Sequence, residues 1–123
     1  MGRYPNKHFD LAITDPPFGI GRDWKKRRNN KYCDTTYKND KIPDEKYFSE
    51  LFRVSKNVII WGYNYFTKYL GSTNYLIVWD KKSNNNEVFN YSQAELAYTT
   101  IRKPIQIIQV PWDGYRMGKE TGV

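Results

Sequence analysis

The alternating run Phe9, Leu11, Ile13 ends on Thr14 and Asp15 and is followed at once by Pro16 and Pro17. Apolar residues alternating with smaller or polar ones describe a strand. Two prolines, each without an N–H and with φ fixed near −65°, stop that strand. Asp15 is thereby placed on a rigid turn at a strand's C-terminal end, and an aromatic residue, Phe18, stands three positions on. Residues 19–42 then show no hydrophobic period. A stretch that long without structure inside a compact domain is functional or disordered, and it reads here as a mobile binding loop.

The remaining chain alternates helical and strand patterns. Residues 44–56 place Tyr47, Phe48, Leu51 and Phe52 on one stripe, with acids at the start and Arg53 and Lys56 at the end, which suits an amphipathic helix and its dipole. The run 57–61 is β-branched and aromatic after Asn57, as in a strand buried on both faces. Gly62 ends it. A second helix over 63–70 repeats the stripe with Tyr65, Phe66, Tyr69 and Leu70, and Gly71 is its stop. Strands follow at 75–79, 94–100 and 105–110, the last two joined through Arg102, Lys103 and Pro104 as a hairpin. The order predicts an α/β domain with a mostly parallel sheet and an antiparallel C-terminal hairpin. Ligands of such sheets collect beyond the carboxyl ends of the strands, where Asp15, residues 62–64 including Asn64, and Asp80 would meet.

At 123 residues the chain suits a single domain. One cysteine, Cys33, excludes an internal disulfide, and one histidine, His8, leaves too few ligands for a typical zinc site, so no metal is expected. No apolar run is long enough to span a bilayer, and the start lacks a hydrophobic signal core, which predicts a soluble cytoplasmic protein without a membrane partner. The formal charge is +7, and residues 22–41 carry eight basic and three acidic side chains of it. That excess centres on Lys25, Lys26, Arg27 and Arg28. Such a cluster suits a phosphate backbone, where counterion release drives association; a solvated basic loop is the plainer alternative. The cluster's position next to Phe18 tips the reading toward nucleic acid, and DNA is the expected partner.

Asp15 on its turn also has a chemical use. The exocyclic amine of adenine or cytosine is a poor nucleophile because its lone pair is delocalised into the ring. A carboxylate accepting one amine hydrogen, with a main-chain carbonyl such as that of Pro16 accepting the other, would draw the nitrogen toward tetrahedral geometry. The base would first have to leave the duplex, at a cost of a few kcal/mol. Stacking on the Phe18 ring, worth roughly 1 to 3 kcal/mol, would offset part of that.

The segment Phe9-Asp10-Leu11-Ala12-Ile13-Thr14-Asp15-Pro16-Pro17-Phe18-Gly19-Ile20-Gly21 resembles the catalytic segment of phage and bacterial N6-adenine and N4-cytosine DNA methyltransferases. Pro43-Asp44-Glu45-Lys46-Tyr47-Phe48, Ile60-Trp61-Gly62, Ile77-Val78-Trp79-Asp80-Lys81, Ala94-Glu95-Leu96-Ala97 and Trp112-Asp113-Gly114 are similar to later family segments. The resemblance runs from about residue 3 to residue 118. It implies a partial Rossmann-like class I methyltransferase sheet, S-adenosylmethionine as cofactor, Asp15, Pro16, Pro17 and Phe18 as the catalytic residues, and a cytoplasmic role in a bacterial or phage-infected cell, such as restriction-modification. Aspartate at position 15 is the form usual for adenine and serine the commoner one for cytosine, so N6-adenine is the favoured target. Phe18 keeps the stacking face of the family's tyrosine and loses its hydroxyl.

The family's glycine-rich FxGxG turn, which binds the methionine part of the cofactor, is not matched in the sequence. Gly19-Ile20-Gly21 follows the proline turn and opens no amphipathic helix, so it lacks the context of a cofactor fingerprint. The chain thus resembles a truncated catalytic half whose cofactor-binding residues are unknown. In such a half, strand 9–14 becomes an open edge, inviting dimerisation or pairing with a missing cofactor-binding half. The competing readings are a non-catalytic nucleic-acid-binding fragment or subunit and an N4-cytosine enzyme. Methylation of a protein glutamine amide is disfavoured by Asp15 and the basic loop.

Overall fold

The computed structural model describes residues 1–19, 41–81 and 92–111. Among them are strands β1 (Phe9–Thr14), β2 (Ser55–Trp61), β3 (Leu76–Asp80), β4 (Ala94–Thr99) and β5 (Gln106–Gln109), with helices α1 (Glu45–Val54) and α2 (Thr67–Leu70). The strands make one sheet in the order β1-β2-β4-β3-β5. β1 runs parallel to β2 and β5 parallel to β3, whereas β4 lies between β2 and β3 and is antiparallel to both.

This corrects the predicted sheet in two respects. It is mixed, with two parallel and two antiparallel pairs, rather than mostly parallel. The antiparallel neighbours close in sequence are β3 and β4, while β5 crosses to the far side of β3 instead of forming a hairpin with β4. Burial accounts for the exchange. Ala97 and Thr99 of β4 are 0% and 6% exposed, small enough for the crowded centre. The four residues of β5, Gln-Ile-Ile-Gln, are all exposed and form an edge.

Helix α1 begins where the sequence supplies a cap: the Asp44 carboxylate accepts a hydrogen bond from the Tyr47 N–H at 3.0 Å. It buries Phe48, Leu51 and Val54, and the chain turns straight into β2 at Ser55, two residues earlier than the predicted helix end. Lys7, at φ 56°, explains the sharp stop. Its N–H donates to the Arg53 carbonyl at 2.8 Å, and its ammonium reaches the carbonyls of Phe52 and Ser55 at 2.8 and 3.1 Å. Carbonyls otherwise orphaned at a helix end are thus satisfied from the N-terminal segment.

The core lies on one face of the sheet, where Val58 and Ile60 of β2 meet Phe48, Leu51, Phe66 and Leu70. β2 therefore alternates, with Ile59 and Trp61 half-buried on the other face, rather than being closed on both sides as its composition suggested. The expected second helix is divided, residues Tyr63–Tyr65 forming a 3-10 turn before α2. Phe66 and Leu70 stay in the predicted stripe, but Tyr65 turns outward, 40% exposed.

β1 forms one edge of the sheet, and Leu11 and Ile13 on it are 44% and 61% exposed. An apolar edge without lysine or proline invites strand pairing between molecules. The chain is expected to self-associate as concentration rises, and Ile13→Lys to return it to monomer while changing folding stability by no more than about 0.5 kcal/mol. Sedimentation velocity over a concentration series checks this; equal association of both proteins would refute it.

Candidate functional site

The directions of the strands bring the carboxyl ends of β1, β2, β3 and β5 and the start of β4 to one border of the sheet. Asp15 follows β1 directly on that border and is exposed, while Pro16 beside it is buried. Phe18 returns over Gly62, the residue after β2. Gly62 has φ 81°, and its N–H donates to the Leu96 carbonyl at 2.9 Å. A Cβ at Gly62 would overlap the Phe18 ring. Glycine is therefore required there twice, by its backbone angle and by the ring that lies against it.

Phe18 is half-buried against the core cluster. Its ring stacks on Tyr65 with centroids 4.6 Å apart and planes 14° from parallel, and Phe66 lies at 6.0 Å, tilted by 57°. The expected stacking ring is present, but in this arrangement Tyr65 already lies on it.

Partial burial pushes the Asp15 carboxyl above its ordinary value, and the nearby Glu95 carboxylate pushes it in the same direction. Glu95, on β4, is itself ion-paired with Lys81, whose side chain is only 8% exposed. The Lys81 ammonium also lies 5.4 Å from the centroid of the Trp79 ring, and the Lys81 backbone N–H donates to the Gln93 carbonyl at 3.0 Å. A carboxylate with raised proton affinity is a stronger acceptor for an amine hydrogen. The Thr14 hydroxyl, one residue before Asp15, is buried without a hydrogen-bond partner among the described residues.

The other expected site residues are placed less uniformly. Asn64 is exposed on the 3-10 turn, beside Tyr65 and on the border that carries Asp15. Asp80 lies three strands from β1 in the sheet order, about 14 Å at the usual strand spacing. It accepts a hydrogen bond from Gln109 at 3.3 Å, and its backbone carbonyl accepts from the Val110 N–H, so it serves the β3–β5 pairing. Lys25, Lys26, Arg27 and Arg28 lie outside the described residues. Sequence reasoning left Glu95 and Tyr65 out of the site. The crowding of aromatics after Gly62, read as a core stripe, is the signal from which Tyr65 could have been found; the reach of Glu95 depends on strand order, which no local pattern encodes.

Among the described residues, no group of three His, Cys, Asp or Glu side chains is placed to hold a metal, and no helix is long and apolar enough to cross a membrane. A shallow hollow between the N-terminus and α1, lined by residues such as Met1, Asp44 and Tyr47, includes none of the site residues. The glycines nearest the site do not fit S-adenosylmethionine: the space over Gly62 is filled by Phe18, and that over Gly19 by Ile42, whose Cγ1 would lie 2.7 Å from an added Cβ. The described residues thus hold no open glycine cradle on this border. Protein-family models, curated proteins and solved structures yield no match to the chain.

Two outcomes test this geometry. Gly62→Ala should destabilise the fold by about 1 to 3 kcal/mol through strain and overpacking. Part of that loss should disappear in a Phe18→Ala background, measured by urea denaturation of the four proteins of the cycle. Asp15→Asn addresses the raised carboxyl. Its contribution to stability is complete below the unfolded-state value and is lost as pH rises through the folded-state value. Asp15→Asn should therefore melt above the parent at neutral pH, the gap closing in acid; a variant that melts lower at neutral pH would contradict the assignment.

Proposed function

We propose that this chain is the target-base half of a DNA N6-adenine methyltransferase. The observation that carries the proposal is the pairing, on one sheet border, of an exposed carboxylate of raised proton affinity, Asp15, with an aromatic ring, Phe18, seated against Gly62. The Asp15 carboxylate accepts one hydrogen of the adenine amine and the Pro16 carbonyl the other. The lone pair is thereby freed by orientation and electrostatics, with no covalent intermediate. Phe18 supplies the stacking face for the extruded base, and the cluster from Lys25 to Arg28 supplies phosphate contacts. In this reading S-adenosylmethionine is the methyl donor, and its binding site lies on a partner half or requires a second copy of the chain. The open edge of β1 supports pairing of either kind. The setting is the cytoplasm of a bacterial or phage-infected cell, and aspartate rather than serine at position 15 favours adenine over the N4 amine of cytosine.

A second reading, binding of unpaired nucleic acid without methyl transfer, is favoured by the filled glycine positions at Gly19 and Gly62. Titration calorimetry of S-adenosylmethionine into the folded chain separates the two, since uptake of the donor by the chain alone selects the enzyme. The site itself is tested with short DNA strands carrying one adenine or one abasic position. Asp15→Ala should weaken binding to the adenine strand roughly tenfold, as loss of a hydrogen bond to a charged group does, and leave the abasic strand unaffected. Equal losses on both strands would remove Asp15 from base recognition.

A further inference from the structure

Phe18 is held on several sides and covered on another. Gly62 lies against its ring, Phe66 tilts toward it at 6.0 Å, and Tyr65 stacks on it at 4.6 Å with planes 14° from parallel. A centroid separation of that size with nearly parallel planes is the offset stack that planar rings adopt. It is also the arrangement a captured base would take on Phe18.

Tyr65 differs from its neighbours in how it is held. The Tyr63 hydroxyl donates to the Gly71 carbonyl at 2.8 Å, and Phe66 is 0% exposed in the core. Tyr65 is 40% exposed. Its backbone is fixed by its N–H donating to the Gly62 carbonyl at 2.9 Å. The side chain stands on a single 3-10 turn at the sheet border that also carries Asp15, so a change of χ1 moves the ring without disturbing the core. Exposed side chains make such rotamer changes in picoseconds to nanoseconds.

Resting on the base-binding reading above, we propose that Tyr65 is a positioning residue that stands in for the target base, stacking on Phe18 in the free chain and yielding that face to an incoming unpaired purine. Stacking is then exchanged rather than gained when the base enters. Purine rings with and without the amine can then both take the face of Phe18, and the amine hydrogen bond to Asp15 sets the preference between them. Displacement lowers the apparent affinity of every ring by the same factor, the fraction of chains in which Phe18 is uncovered. Tyr65 thus raises the threshold for capture without changing the ratio between bases.

The test is fluorescence anisotropy with single strands carrying one adenine, one hypoxanthine or one abasic position, against the parent chain, Tyr65→Ala, Tyr65→Phe and Phe18→Ala. Tyr65→Ala is expected to bind the adenine and hypoxanthine strands about three- to tenfold more tightly, by equal factors. Its affinity for the abasic strand should not change. Tyr65→Phe keeps the ring and should match the parent, which also controls for folding. A Tyr65→Ala chain that binds the adenine strand equally or more weakly, while Phe18→Ala loses the preference for adenine over abasic, overturns the stand-in role and leaves base capture intact. If the parent itself shows no preference for adenine over the abasic strand, the base-binding reading fails and the role of Tyr65 fails with it.

Discussion

Parallel pairing of β1 with β2 is the constraint from which the rest of the molecule follows. Its register sets Phe9 beside Ser55 and Thr14 beside Ile60, so Asp15 emerges level with Trp61, and the turn that follows brings Phe18 against Gly62. Parallel neighbours cannot be joined by a tight turn and need a crossover of a dozen or more residues. Helix α1 lies within that crossover and is fastened at both ends: Asp44 caps its start, and Lys7 satisfies the carbonyls at its finish. Arg53 in the last turn donates two hydrogen bonds to the Glu50 carboxylate, each at 2.9 Å, and reaches the Tyr4 carbonyl and the Asn6 side chain. The short N-terminal segment is therefore what locks the helix that carries the chain from the first strand to the second.

Local physics made much of this legible in the sequence. The bounds of β1 follow from alternation and the two prolines, and the start of α1 from Pro43, Asp44 and the apolar stripe. What local patterns do not contain is the order of strands. Ala94 to Thr99 and the segment ending in Gln109 both look like strands, but whether they pair depends on which fits between β2 and β3. Alanine and threonine at positions 97 and 99 decide that only once the neighbours are in place. The same gap hid Glu95, which affects Asp15 through strand arrangement, and Tyr65, which a stripe drawn with α-helical period assigned to the core. The 3-10 turn set by the left-handed Gly62 rotates Tyr65 away from that stripe and onto Phe18.

The proposed site also works against stability, as a binding surface is expected to. A carboxyl of raised proton affinity loses its proton against the preference of its surroundings, and a second carboxylate adds to the disfavour. The ring that stacks depends on a glycine in the left-handed region, where any side chain would be both strained and overlapping. The aromatic cluster of buried Phe48 and Phe66 with half-buried Tyr69 offsets these costs from beneath. Phe48 stacks on Tyr69 at 5.1 Å, and Phe66 lies 5.3 Å from Phe48. Phe66 is then the link between the core and the site, since it packs on Phe48 on one side and on Phe18 on the other.

The face of the sheet opposite the helices takes part in the same electrostatics. Trp61 on β2 and Trp79 on β3 meet edge to face at 6.1 Å. Ala97 of β4 pairs with Trp61 and lies between the two strands, and only a side chain that small lets two indoles meet over it. Trp79 in turn lies beneath the Lys81 ammonium, and Lys81 holds Glu95. An attraction of cation to ring, worth more where water is excluded, thus helps fix a carboxylate whose field reaches Asp15. Packing that began as cover for a small alanine adds, after the carboxyl's own partial burial, to the raised proton affinity of Asp15.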